Sequence, residues 1–246
     1  PQILSFKTKQ QKITYLSNLV ETVYIKDIVE RNKLKSGEGI TELLRTLASS
    51  MGSPCNPRRI SKTFESVEKK HVSSETVARH IRYFNESFLI TEALRYDVKG
   101  RKYIGTETKY YFTDIGLRNS ILGFRQIEET HIMENVLYNE LKYRGYNVDV
   151  GMVEIMERNA DGKQERKRLE VDFVANQGSK RYYIQSALRM EDDDKVRQEK
   201  KSLINIPDSF KKIIVVKDRI TSYHDYDGIL RVGLFDFLLN PDSLDL

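Results

Sequence analysis

The sequence predicts an α+β protein in two successive parts, a helical first half that closes in a β-hairpin and an α/β second half. Three observations predict it. Apolar residues recur at helical spacing through residues 10–48. Two further helix signatures and two strand-like runs follow in order over residues 56–112. Beyond Gly123 one helix leads into a series of strands, a charged segment, a buried strand and a final strand–helix pair. With 39% hydrophobic and 31% charged residues among 246, the composition suits folded domains, either one large or two modest.

Taken in order, "QQKITYLSNLVETVYIKDIVERNKLK" (10–35) carries Ile13, Leu16, Leu19, Val20, Val23, Tyr24 and Ile28 as the stripe of one amphipathic helix. The glycines of "KSGEG" end it. Leu43, Leu44 and Leu47 mark a second helix that stops near "SSMGSPCNP". "NPRRISKTFESV" reads as a short helix with Asn56 as cap and Pro57 at the first helical position. After the turn "EKKHV", a longer helix over "SSETVARHIRYFNES" has Ser73 as its cap and Val77, Ile81 and Phe84 facing inward. The strand runs "FLITEALRYD" and "KYYFTD" flank the basic turn "VKGRKYIGTET". Helix, turn, helix and β-hairpin describe a winged helix, in which the second helix enters the DNA major groove and the wing touches phosphate. Thr76, Arg79, His80, Arg82 and Tyr83 are available on the outer face of that helix, and Lys99, Arg101 and Lys102 on the wing. The same charges also suit a solvated surface on a module that contacts protein.

The second part begins with the helix "EETHIMENVLYNELKYRGY", which buries Ile132, Val136, Leu137 and Leu141 and ends at Gly145. The strand "NVDVGMV", the hairpin "EIMERNADGKQERKR" with its Asp-Gly turn, and the strands "LEVDFVAN" and "RYYIQSAL" follow. Then come the charged helix or loop "RMEDDDKVRQEKKSLINI", the buried strand "KKIIVVKD" and "ILRVGLFDFLLN". Strands flanked by helices predict a three-layer α/β domain. The resulting division is a helical linker at 1–48, a winged-helix domain at 49–122 and the α/β domain at 123–246.

Bulk properties exclude several classes. The lone Cys55 cannot form an internal disulfide, and four His with no Cys partner argue against zinc. No apolar run approaches the ~20 residues needed to cross a bilayer, and "PQILSFKTKQQKITYL" lacks the pattern of a signal peptide. A cytoplasmic protein without a membrane partner is expected. The absence of an initiator Met is expected of a fragment. A net charge of +5 permits nucleic-acid contact without requiring it.

One constellation could carry chemistry. Glu134 stands on the first helix of the α/β domain, and Asp172 alternates with Val171 and Phe173, so it is expected on the strand face opposite to them. Gln185 lies on the next strand. A helix glutamate, a strand aspartate and a residue of the following strand converge in this order in restriction-endonuclease-like folds. A nuclease needs carboxylates around Mg²⁺, a group for the attacking water and one for the phosphorus. Glu134 and Asp172 are the candidate metal ligands. Gln185 offers only a neutral carbonyl oxygen, weak for Mg²⁺, and Ala187 stands where a lysine would act. Each residue also has a plain role: Glu134 in a helical first turn, Asp172 paired with an arginine, Gln185 satisfying a buried amide. The site is expected to be a degenerate one. The acidic run "MEDDDK" lacks the alternation and glycine of a calcium loop and is assigned no site.

The segments "YLSNLVETVYIKDIVERNKL", "VSSETVARHIRYFNESFLITEALRYDVKGRK", "KYYFTDIGLRNSILGF", "HIMENVLYNELKYRGY", "LEVDFVA", "YYIQSAL" and "GILRVGLFDFLL" together resemble bacterial and archaeal AAA-type ATPases. The C-terminal half of such ATPases carries a domain of unknown function with a restriction-endonuclease-like fold. The resemblance spans nearly the whole chain. It implies that residues 1–48 follow an ATPase domain absent from this chain, which would be a partner within the same protein. No G-x-x-x-x-G-K-[ST] occurs here, so ATP binding is expected only in that missing part. Members read as acid–V–D–F and then a strand with glutamine where a nuclease has glutamate, so Gln185 is similar to the family. The resemblance implies a binding or regulatory role over cleavage; taken with the winged helix, the expected function is nucleic-acid binding, duplex DNA being the partner, with an inactive nuclease-like domain. A Mg²⁺-dependent nuclease and a protein-interaction module are the alternatives, and oligomer formation stays open.

Overall fold

A computed structural model describes residues 2–34, 38–67, 71–105, 107–125, 127–159, 161–190 and 193–246. The turns expected at "KSGEG" and "EKKHV" and the acidic run "MEDDDK" fall partly outside these residues. The chain forms two compact units. The first comprises residues 1–92 with 107–128, the second 93–106 with 129–246. The architecture is mixed α/β, with helices and a mixed sheet.

In the first unit α1 (Lys9–Asn18) opens with a capping box. Gln11 N donates to Thr8 Oγ1 at 3.2 Å, and Thr8 N donates to Gln11 Oε1 at 3.1 Å. The helix continues through a π-helical stretch, Leu19–Ile25, into α2 (Lys26–Arg31). The wider turn shifts the buried stripe: Leu16, Val20 and Ile28 are buried, whereas Val23 is exposed. Helix α3 (Glu38–Ser49) buries Leu43, Leu44 and Leu47 as its spacing predicts. Asn56 Oδ1 accepts from Arg59 N at 2.8 Å to start α4 (Pro57–Val67). Ser73 Oγ accepts from Thr76 N at 3.2 Å to start α5 (Ser74–Glu86), whose Val77, Ile81 and Phe84 are buried.

The run expected as one strand after α5 breaks at Leu94 into β1 (Ile90–Ala93) and β2 (Arg95–Asp97), followed by β3 (Lys102–Tyr103) and β4 (Lys109–Phe112). Strand β1 pairs with β4 in the first unit, where Cys55 also bridges Thr108. Helix α6 (Ile115–Ile121), capped by Asp114, follows. Its Arg118 is fully buried, and Nε donates to Ala48 O at 2.9 Å near the end of α3. Residues 1–48 therefore pack into the same core as the helices after them.

The second unit is built on an eight-stranded sheet of order β3-β2-β5-β6-β7-β8-β10-β9. Helix α7 (Glu129–Tyr143) leads into β5 (Asn147–Arg158), β6 (Gln164–Gln177) and β7 (Lys180–Ala187), an antiparallel meander. Helix α8 (Asp193–Ile204) then crosses to β8 (Lys211–Val216), parallel to β7. Strands β9 (Tyr223–His224) and β10 (Leu230–Gly233) and helix α9 (Leu234–Leu239) complete it. One sheet face packs Val171, Val174, Tyr183 and Ile214 against Leu203 of α8. On the other, Phe173 meets Tyr138 of α7 with ring centroids 6.2 Å apart.

The basic turn of the hairpin belongs to this second unit. Strand β2 pairs parallel with β5, Arg95 opposite Val150. Val98 is buried, and its N–H donates to Met152 O at 3.0 Å. Arg181 lies over the rings of Tyr96, at 5.5 Å, and Phe210, at 5.3 Å. Tyr103 OH donates to Asp149 Oδ2 at 3.2 Å, and burial pushes that carboxyl up from its ordinary range despite the bond. A free wing cannot carry such contacts, because each is a bond or stacking partner supplied by the α/β sheet.

Candidate nucleic-acid and nuclease-like sites

Strand β6 does not run through Asp172 as a regular strand. Asp149 pairs with Val174 and Gly151 with Val171, so β6 carries one residue more than β5 between these rungs. The bulge turns Val171 and Val174 to one face and Phe173 to the other. The expectation that Val171 and Phe173 share a face opposite Asp172 is therefore corrected. Gly151 makes room for the bulge: a Cβ there would lie 2.9 Å from Val171 Cβ and 2.9 Å from Val174 Cγ2.

At this bulge the regular β6–β7 pairs stop at Phe173–Ile184, and side chains continue the contact. Ser186 N donates to the buried Asp172 carboxylate, Oδ2, at 2.8 Å. Asp172 N makes a long bond of 3.4 Å to Gln185 Oε1. The other end of the same amide, Gln185 Nε2, reaches Glu199 Oε2 on α8 at 3.4 Å. Burial pushes the Glu199 carboxyl up, while the Gln185 amide and the nearby charge of Lys195 pull it down. Asp172 and Gln185 are thus brought together, and Glu199 joins them. Glu134 is buried on α7.

Sequence reasoning missed Glu199 because the segment around it reads as a solvated, charged helix. A signal was present. Val196 and Leu203 stand seven residues apart, and Glu199 and Lys200 fall between them at i+3 and i+4, on the inward stripe. Lys200 is buried as well, bonded to Asp225 at 2.9 Å and to Asp227. Arg231 shares Asp225 at 3.3 Å. Burial works against the charge on Asp225, but Lys200 and two backbone N–H groups hold its carboxyl below the usual range.

The residues do not fit a Mg²⁺ ion well. Among the described residues no three His, Cys, Asp or Glu side chains group as metal ligands. The Asp172 carboxylate is engaged by Ser186, and both ends of Gln185 are in use.

The residues expected at nucleic acid divide between the units. On α5, Arg79 and Arg82 are exposed. Arg79 Nη2 donates to Thr76 Oγ1 at 3.3 Å, and Arg82 Nε lies 3.7 Å from Glu86 Oε1. Thr76 and His80 are half-buried and line a pocket of about 260 Å³ with Leu43, Phe64 and Val77. Burial, and then the charge of Arg79, pulls the His80 imidazole down. Lys99, Arg101 and Lys102 lie exposed on the β2–β3 turn of the second unit, and Lys99 Nζ donates to Glu154 O at 2.7 Å.

Among the described residues no helix is long and apolar enough to cross a membrane. The chain is similar to two curated proteins from distant organisms. It is 30% identical over 228 residues to an "Uncharacterized protein" of Haemophilus influenzae, covering 93% of this chain and 52% of that one. It is 24% identical over 236 residues to "Uncharacterized protein MJ1544" of Methanocaldococcus jannaschii, covering 96% of this chain and 49% of that one. The chain thus spans about half the length of the curated relatives it matches. Among solved structures it is similar to protein VC1899 from Vibrio cholerae, with 12% identity and a TM-score of 0.31 over 98% of this chain and 56% of that one. The family model described as "Domain of unknown function (DUF8612)" matches residues 1–128, just over half of the chain, and the chain belongs to that family.

Proposed function

We propose that this chain is the duplex-DNA-binding region of a larger ATP-hydrolysing protein, pairing a winged-helix unit with a restriction-endonuclease-like unit that does not cut. The order of elements supports the first part: α3, the Cys55 bridge, α4, α5 and the β1–β4 pair follow one another as in a winged helix. The order α7-β5-β6-β7-α8-β8, with an antiparallel meander and a helical crossover to a parallel strand, supports the second. The ATPase assignment rests on the family resemblance and concerns a part of the protein outside these residues.

The observation that carries DNA binding is where the charge lies. Residues 1–92 with 107–128 hold 18 Lys and Arg against 13 Asp and Glu. The remaining residues hold 23 against 23. The whole net charge of +5 therefore belongs to the first unit, the one with the helix pair. Phosphate neutralisation is the sequence-independent term in DNA affinity, so this unit is the one to bind.

A titration of duplex DNA at two salt concentrations with Mg²⁺ present, followed by a gel of the recovered DNA, tests the proposal. Binding that weakens steeply with salt and leaves the DNA intact is expected. Weaker binding by Arg79→Gln/Arg82→Gln is expected too. Metal-dependent fragments that disappear in Asp172→Ala would overturn the inactive assignment, and no binding at either salt would overturn the DNA assignment.

A further inference from the structure

Helix α4 carries a second group of cations that the winged-helix reading of α5 leaves unused. Arg58, Arg59 and Lys62 are all exposed, and among the described residues none of them has an ion-pair partner. Arg58 and Lys62 are four residues apart and share one side of the helix. Helices α4 and α5 pack against each other. The start of α5 lies beside α4, where Ser61 Oγ donates to Val72 O at 2.6 Å, one residue before the Ser73 cap. On α5, Glu75, Arg79, Arg82 and Glu86 follow at helical spacing along one face. The acids on this surface have partners: Glu65, on the Arg58–Lys62 side of α4, lies 3.5 Å from His71 Nδ1, Glu75 accepts from Ser74 Oγ at 3.2 Å, and Glu86 is paired with Arg82. An exposed surface with five cations thus runs from α4 onto α5.

The hairpin turn, which would ordinarily supply phosphate contacts in a winged helix, belongs to the second unit. Its Lys99 is bonded to a carbonyl of that unit's sheet. We propose that Arg58, Arg59 and Lys62 form a phosphate-contact strip for the backbone of duplex DNA and take over the part of the wing, while Arg79 and Arg82 lie toward the groove. This inference rests on the DNA-binding reading above and adds the residues that set its electrostatics. Helix-turn-helix proteins commonly cross the backbone with the first helix of the pair, and each phosphate that an arginine or lysine neutralises releases condensed counterions from the DNA.

The test compares three forms of the full 246-residue chain on one mixed-sequence duplex across a salt series. They are the unaltered chain, Arg58→Gln/Arg59→Gln/Lys62→Gln, and Lys99→Gln/Arg101→Gln/Lys102→Gln. Glutamine keeps helix propensity close to that of arginine and lysine, and circular dichroism checks that each variant is folded. If three phosphate contacts are lost, the slope of log K against log salt becomes shallower by up to about 2.7. Between 50 and 200 mM salt the unaltered chain then loses up to about 40-fold more affinity than the α4 variant. The wing variant keeps the original slope. An α4 variant with an unchanged slope, beside an unaltered chain that binds, overturns the strip alone. A slope lost in the wing variant and kept in the α4 variant does the same. Failure of the unaltered chain to bind at low salt removes the DNA-binding reading itself.

Discussion

The Gln185 amide lies between a backbone N–H and a carboxylate, which makes Gln185→Glu a sharp perturbation. The substitution is isosteric, and the oxygen facing Asp172 N keeps its role. Only the atom that faces Glu199 changes, from a donor at 3.4 Å to a second anion. Two unit charges at that distance repel by about 5 kcal/mol at an effective dielectric of 20. The pair escapes part of this by binding a proton. At pH 7 that costs no more than about 3.5 kcal/mol for a carboxyl with an ordinary pKa near 4.4, and solvent around the half-buried pair reduces the net loss to about 2 kcal/mol. At pH 5 the same ceiling is below about 1 kcal/mol. The folded variant holds a proton that the unfolded chain has released, so its stability falls as pH rises through this window. Urea unfolding followed by far-ultraviolet circular dichroism at pH 5 and pH 7 measures it, the chain having no Trp to report. Adding Glu199→Gln exchanges the two partners and should recover most of the loss, as a double-mutant cycle requires. An equal loss at both pH values, or no recovery in the double variant, would refute the contact.

Two further outcomes follow from the same unit. Lys200→Met leaves Asp225 with Arg231 as its remaining cation; we expect a loss of about 2–3 kcal/mol at pH 7, below the range for a fully buried pair because Asp227 is half-exposed. The low folded-state carboxyl range of Asp225 gives stability that is lost as pH falls through it, so the variant should show a flatter acid limb, and a parallel limb would sink the assignment. Gly151→Ala puts a methyl group against Val171 Cβ, which cannot rotate away, and should cost about 1–3 kcal/mol in urea unfolding; a neutral variant would mean that the bulge can shift.

The helices were legible in the sequence wherever side-chain period and a cap agreed. Val77, Ile81 and Phe84 behind Ser73, and Leu43, Leu44 and Leu47, declared their buried faces because regular α geometry projects the same spacing everywhere. The π-helical Leu19–Ile25 stretch broke that relation, which is why Val23 is exposed. The unbroken β-rich run across Leu94 gave no sign that its halves join different sheets, because pairing partners are long-range and leave no local trace. The bulge at Asp172–Phe173 was hidden for a related reason. Alternation assumes a regular strand, and the residue that reveals the exception, Gly151, lies on the neighbouring strand. Glu199 was hidden by composition: the charges around it read as solvent-facing, and only its phase between Val196 and Leu203 marked it as inward.

These geometries also explain why glutamine suits position 185. The position must accept from Asp172 N and donate to Glu199. A carboxylate can only accept and a lysine can only donate, whereas a side-chain amide does both. With a glutamate there, the site would hold an uncompensated anion pair beside the Asp172 carboxylate. That suits a site that holds a divalent cation and is costly in one that does not. The carboxylate of Asp172 is likewise engaged on Ser186 N, where the β6–β7 ladder opens. The Asp172 and Gln185 side chains thus hold strand β6 to strand β7 and strand β7 to helix α8.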